Sequence, residues 1–173
     1  MEWKKVDEQL IKDGFRKVCL KTFVLPNEKK ESFEVKKEGE TVSILAITPT
    51  DCIVLAKQFR VGPEKELMEL PGGGVEKSED PVDAARRELL EETGYSGEFQ
   101  FVQTILDCGY STGVQHVFVA TNCSRVHDQS LDETEFIEVI EMPLEKFRNH
   151  LRSGQLTDIE TGYLGLDFLK RLS

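Results

Sequence analysis

A helix marked at both ends, and acidic along one face, constrains this chain more than any other feature. Asp80 can accept hydrogen bonds from the free N–H groups of a first turn, and Pro81 suits the first helical position. Gly94 supplies a left-handed stop. Between these signals Val82, Ala85 and Leu89 fall on a narrow arc at about 100° per residue and form a packing face. Glu88, Glu91 and Glu92 fall within about 100° of arc as well. Their placement is costly. Glu88 and Glu92 are like charges at i,i+4, worth about 0.2–0.5 kcal/mol of repulsion. All three lie in the last turns, where the helix dipole disfavours negative charge by about 0.3–1 kcal/mol each. Arg87 can pair with Glu91 but cannot balance three carboxylates. On composition alone a solvated acidic face is an equal alternative. It leaves the two costs standing, whereas a bound divalent cation offsets both, and a dense set of hard oxygen donors suits Mg²⁺ or Mn²⁺.

The wider charge pattern agrees. The 173 residues carry a formal net charge of −10. Residues 76–95 hold seven acids against three basic residues, and 128–145 hold seven acids with no Lys or Arg, so two short segments contain the whole excess. Such a chain has no general attraction to a nucleic-acid polymer or an anionic membrane, though it can hold phosphates through a bound metal. No apolar run approaches membrane-spanning length, and Met1-Glu2-Trp3-Lys4-Lys5 opens a charged stretch with no apolar signal core. A cytoplasmic location is expected. Cys19, Cys52, Cys108 and Cys123 are far apart, form no CxxC, and each adjoins an apolar run, so they read as buried free thiols.

The rest of the chain reads as strands and helices in alternation. Residues 18–25 and 32–36 suggest strands with Pro26-Asn27 opening the turn, and 41–48 and 52–59 suggest two more, together an antiparallel meander. A short strand over 67–70 ends at Pro71-Gly72-Gly73-Gly74. After the helix over 81–93 come strands over 99–107, 115–121 and 136–141, then helices over 144–152 and 158–172. This order predicts a mixed α/β domain. Taken alone, the glycine run is a turn. A phosphate loop of the Walker type is excluded because Glu76, not Gly, precedes Lys77.

The spacing is more specific than any one residue. Gly73, five residues, Glu79, seven residues, then Arg87-Glu88-Leu89-Leu90-Glu91-Glu92-Thr93-Gly94-Tyr95 fill every defined position of a 23-residue pattern. This segment, 73–95, resembles the Nudix box. The resemblance implies an α/β/α sandwich on a mixed sheet, with the box as a loop–helix–loop that binds divalent metal. Metal ligands would then be Glu88, Glu91, Glu92 and the carbonyl of Gly72, with Glu79 and Arg87 bracing the loop and helix and Gly73 approaching the substrate. Around the box, Lys57-Gln58-Phe59-Arg60, Glu69-Leu70-Pro71-Gly72-Gly73 and Leu131-Asp132-Glu133-Thr134-Glu135 are similar to the ADP-ribose (ADP-sugar) pyrophosphatase branch.

That likeness implies hydrolysis of a nucleoside diphosphate linked to another group, with AMP and a sugar phosphate as products from an ADP-sugar. It makes Arg60 a substrate contact and Glu133 the general base, with Glu91 as the other candidate base and Glu135 a neighbour able to assist with metal. It implies a homodimer through an N-terminal strand extension over 1–40, ahead of a hydrolase domain over 41–173. Trp3, Phe15, Phe23 and Phe33 are available for base stacking or as interface filler. Tyr110 departs from the branch, which tends to have proline at that position, and leaves hydrolysis of dinucleoside polyphosphates or nucleoside triphosphates open. A nucleotide-binding module without catalysis is the alternative of a different class; an incomplete box would favour it, and this box is complete. His116, His127 and His150 have no visible catalytic partner and take no role.

Overall fold

The computed structural model describes residues 2–173, which divide into two units. The smaller ends at Glu40 and also takes in Ile105–Gln115, and the larger comprises Thr41–Thr104 and His116–Ser173.

The smaller unit is an antiparallel sheet of β1 (Lys4–Lys12), β2 (Lys17–Val24) and β3 (Lys30–Lys37), in that order. The strand β1 has no counterpart in the sequence reading, and the reason is physical. It is exposed along its whole length, so backbone pairing with β2 holds it and no burial pattern marks it. Trp3, Phe23 and Phe33 meet with ring centroids 6.0–6.2 Å apart. The segment 105–115 is tied to β3 by an isolated bridge between Lys36 and Ser111 and a 2.8 Å ion pair between Lys36 and Asp107.

The larger unit is built on a sheet of β4 (Glu40–Ile47), β5 (Cys52–Arg60), β6 (Lys65–Glu69), β7 (Gly72–Gly74), β8 (Tyr95–Leu106), β9 (Val114–Arg125) and β10 (Glu138–Pro143). Its main path runs β10-β5-β4-β9-β8. Burial on both faces explains why its central strands read as continuous apolar runs. Val42, Ile44 and Ala46 of β4, Val54 of β5, and Phe118 and Ala120 of β9 pack under helix α1 (Pro81–Thr93) through Ala84, Ala85 and Leu89. Their neighbours Leu45, Ile47, Ile53, Leu55 and Val119 point the other way, against Phe147 and Leu151 of α2 (Leu144–Arg152) and Leu166 of α3 (Ile159–Phe168). The mixed α/β architecture is therefore the expected α/β/α sandwich.

One irregularity of this sheet positions the site. Strands β4 and β5 pair only at Ala46–Val54 and Ile47–Ile53 and then part. The gap is filled by β6, paired to β5 from Ala56–Glu69 to Arg60–Lys65, and by β7, paired to β4 from Thr41–Gly74 to Ser43–Gly72. The N–H of Ile44 donates to the carbonyl of Pro71 at 2.9 Å, closing the turn between them.

Several boundaries differ from the sequence reading. The four runs before residue 60 are not one meander, since β2–β3 and β4–β5 belong to different sheets. The glycine run is a short strand, not a turn. Strand β8 starts directly after Gly94, and β10 starts at Glu138, leaving 129–137 as irregular chain. Helix α3 ends four residues early because Lys170 takes a left-handed conformation (φ 56°) and the N–H of Arg171 turns back to Leu166 O at 2.7 Å. All four cysteines are free, but only Cys19 and Cys123 are buried; Cys52 is half-buried and Cys108 exposed, because apolar neighbours in sequence do not bury the end of a strand. Among the described residues no helix is long and apolar enough to cross a membrane.

Candidate active site

Helix α1 forms where its end signals stand. The Asp80 carboxylate accepts from the N–H of Val82 at 3.0 Å. Gly94, at φ 74°, donates its N–H to Leu90 O at 2.8 Å. The buried face is wider than the apolar residues alone predict, for it includes Glu92, only 6% exposed.

The strand β7 lies against this helix at van der Waals limits. A Cβ on Gly73 would stand 2.4–2.6 Å from the carboxylate atoms of Glu88, and one on Gly72 would stand 2.3 Å from Val42 O. At Gly72 the obstacle is backbone, so only glycine fits, whereas a side chain at Gly73 would have to displace the Glu88 carboxylate from where it lies. The N–H of Gly72 donates to Glu92 Oε2 at 3.0 Å, joining strand to helix.

Arg87 organises the remaining carboxylates. It donates through Nε and Nη2 to the two oxygens of Glu79 at 2.9 and 3.0 Å, and Nη2 also reaches Gly74 O at 2.9 Å. Nη1 donates to Glu88 at 2.8 Å and to Glu91 at 3.1 Å. Glu79 in turn accepts from the N–H of Glu76 at 2.9 Å. One guanidinium thus ties the loop after β7 to three acids. Its pairing with Glu79 holds that carboxyl below the usual carboxylate range, and its own pKa rises through the same hydrogen bonds.

Burial dominates the electrostatics of the other two acids. Desolvation pushes Glu92 up to about 8, opposed by the Gly72 N–H and by Arg60, and reinforced by Glu88 and Glu135. Glu88 is also raised, by desolvation first, against the pull of Arg87 and with Glu91 and Glu135 adding to the rise. The residues fit a divalent cation: an all-oxygen donor set, a backbone with no Cβ to obstruct it, and a buried carboxylate, Glu92, whose one hydrogen-bond donor is the N–H of Gly72. Among the described residues no three acidic, His or Cys side chains converge on one point as they stand. Glu88 and Glu91 share Arg87, while Glu92 is turned to Gly72.

The other sequence candidates are placed as follows. Arg60, at the end of β5, pairs through Nε with Glu69, which is fully buried, and Glu69 also accepts from Thr157 Oγ1. Glu133 is exposed in the turn at 133–134, and the charge of Glu135, two residues on, is felt at both Glu88 and Glu92. Glu135 accepts from the N–H of Asp132 at 3.1 Å, which shapes that turn. Sequence reading gave no role to Gln129, yet its Nε2 donates to Glu92 O at 2.7 Å and to Ile137 O at 3.1 Å, clamping the end of α1 to the acidic segment. An isolated glutamine in a polar stretch carries no signal of this. Glu69 was legible only as part of a motif.

A carboxylate helix pressed on a glycine strand, carried by an α/β/α sandwich, is what the resemblance implies. Residues 37–159 match the NUDIX domain, and the chain belongs to this family. It is 37% identical over 142 residues to the ADP-ribose pyrophosphatase of Bacillus subtilis (strain 168), covering 80% of this chain and 77% of that protein. It is 32% identical over 157 residues to the methanol dehydrogenase activator of Bacillus methanolicus, covering 89% and 85%. It is 32% identical over 155 residues to the ADP-sugar pyrophosphatase of Mus musculus, covering 79% and 71%. A crystal structure of an ADP compounds hydrolase shares the fold, with a TM-score of 0.80 at 18% identity over 99% of this chain and 97% of that one.

The position of Glu92 makes the metal-free protein pH-sensitive. Its carboxyl is near 4.5 when unconstrained and about 8 when folded, so between these values the folded state holds a proton that the unfolded state has lost. Stability in excess chelator should therefore fall as pH rises from about 4.5 to 8 and level off above, and Glu92→Gln should flatten that part of the profile. Urea midpoints at pH 5, 6.5 and 8.5 measure this, and parallel profiles for the two proteins would count against it.

Proposed function

We propose that this protein is a divalent-metal-dependent Nudix hydrolase, using Mg²⁺ or Mn²⁺, that splits the diphosphate of ADP-ribose or a related ADP-sugar into AMP and a sugar phosphate. The observation that carries the reading is the pair of carboxylates on α1 laid against the glycine strand: Glu88, half-buried beside Gly73, and Glu92, buried against Gly72 with only a backbone N–H as its hydrogen-bond donor. The names of two relatives, an ADP-ribose pyrophosphatase and an ADP-sugar pyrophosphatase, support the substrate class.

Glu88, Glu91, Glu92 and the carbonyl of Gly72 would hold the metal. A divalent cation bound there supplies charge neutralisation for the diphosphate and makes the attacking water more acidic. Glu79 and Arg87 keep the loop and helix in register. Gly73 lets the diphosphate approach where a side chain would block it. Arg60 directs a guanidinium at a phosphate oxygen. Water adds to phosphorus, the bridging P–O bond breaks, and the proton of the water passes to Glu133. Glu133 suits this task because none of its lone pairs is committed to a protein donor among the described residues, and it lies in a turn outside the sheet. Glu91 is the alternative base, but it shares Arg87 with Glu88. The small nucleotide is the substrate partner, and the location is cytoplasmic.

The N-terminal unit is read as a homodimer interface. Strand β1 stands at the edge of its sheet with Val6, Leu10 and Ile11 exposed, an arrangement that invites pairing with a second copy.

Three measurements test these readings. Purified protein should release AMP from ADP-ribose with Mg²⁺ and lose that activity in excess EDTA; turnover that survives EDTA would overturn metal dependence. Glu133→Gln should lower kcat by about 10²–10⁴ with KM and metal affinity nearly unchanged. Near-full kcat there, with loss in Glu91→Gln, would move the base to Glu91. Light scattering at micromolar concentration should give twice the chain mass of 19.7 kDa, and a monomer would exclude the dimer.

A further inference from the structure

Two carboxylates are deeply buried in the larger unit, and only one of them belongs to the box. Glu69 has no exposed surface at all. It accepts hydrogen bonds from Arg60 Nε on the neighbouring strand and from Thr157 Oγ1 in the chain between α2 and α3. Burying this charge for stability alone is poor chemistry. The desolvation cost of such a pair commonly exceeds its Coulombic gain, and an apolar side chain of similar volume serves the core as well or better.

What an ion pair supplies, and an apolar contact does not, is direction. Arg60 spends only Nε on Glu69; its two terminal nitrogens have no acceptor among the described residues, and the side chain is 41% exposed. A guanidinium pinned at Nε keeps its plane fixed and its outer fork open, the geometry that donates to two oxygens of one phosphate. Glu69 is separated from Gly72 only by Leu70 and Pro71, so the same short segment carries the anchor and the glycine strand.

We propose that Glu69 is a positioning residue: it aims the Arg60 guanidinium at a phosphate of the diphosphate substrate, and Thr157 fixes the carboxylate from the far side. This rests on the reading of Arg60 as a substrate contact. The pair is neutral as a whole, so its contribution is orientation and not long-range attraction. Its loss falls on substrate binding more than on the chemical step.

Steady-state kinetics of the full chain with ADP-ribose and Mg²⁺ test this in wild type, Arg60→Ala, Glu69→Met and the double variant, with melting temperatures alongside. Arg60→Ala should raise KM by about 10-fold to 100-fold, the size of a lost hydrogen bond to a charged group. Glu69→Met should raise KM to the same level while keeping or raising the melting temperature, and the double variant should be no worse than either single one. A KM within about two-fold of wild type in Glu69→Met, beside a raised KM in Arg60→Ala, would overturn the positioning role and leave the substrate contact intact. Additive effects in the double variant would overturn it too. An unchanged KM in Arg60→Ala would remove the contact itself, and the proposal with it, while wild-type hydrolysis stands. If Glu69→Met does not fold, Thr157→Val decides: KM raised about 2-fold to 10-fold at an unchanged melting temperature supports the proposal, and an unchanged KM overturns it.

Discussion

The approach of Glu88 and Glu92 to the backbone of Gly72 and Gly73 is the constraint on which the rest depends. A carboxylate can lie 2.4–2.6 Å from where a Cβ would stand only if that Cβ is missing, and a strand without side chains has little packing of its own. The glycine strand is therefore held from outside. On one edge it pairs with β4, and beyond its end Arg87 takes Gly74 O and both oxygens of Glu79. The arginine that ties the loop is also the nearest cation to Glu88 and Glu91. Loop geometry and charge balance are in this way one interaction. Disturbing either end of it moves the carboxylates.

The sheet accommodates this by an interruption. Had β4 and β5 stayed paired along their length, no edge would have been open to receive Gly72–Gly74. Their parting after Ala46 and Val54 admits β6 and β7, and with them the buried Glu69 and the close glycines. The helices on either side stabilise the opened sheet. Alternate residues of β4, β5 and β9 fill the two cores, so a strand pair that gives up its mutual hydrogen bonds still buries both faces.

The legible parts of this arrangement were those with local causes. The ends of α1 were readable because Asp80, Pro81 and Gly94 act through their own backbone. The central strands were readable because burial on two faces leaves unbroken apolar runs. The box glutamates stood out because their spacing is costly without a ligand. What stayed hidden has non-local causes. Strand β1 is held by pairing with β2 and shows no apolar alternation deep enough to mark it. The burial of Glu92 depends on where β7 lies, and that depends on the parting of β4 from β5. Gln129 matters because it meets Glu92 O and Ile137 O at once, and neither is near it in sequence. The exposure of Cys108 follows from its place at a strand-connecting tip, which apolar neighbours such as Leu106 do not reveal.

Glu69 and Glu92 show how one physical cost can mark two different tasks. Both are glutamates with almost no exposed surface, so both lose their hydration on folding. Glu69 recovers through a guanidinium and a hydroxyl, and its carboxylate is already occupied by protein donors. Glu92 has a single backbone N–H, lies near two further acids, and is driven toward its protonated form. A buried acid that the protein has satisfied can hold something else in place. One that the protein has left short of positive charge is suited to receive a cation from outside. The distinction is drawn by their partners and not by their burial, which is nearly the same. It separates a carboxylate suited to orienting a neighbour from one suited to binding a cation, the first at the end of β6 and the second on α1 against Gly72, with only Leu70 and Pro71 between Glu69 and the glycine strand.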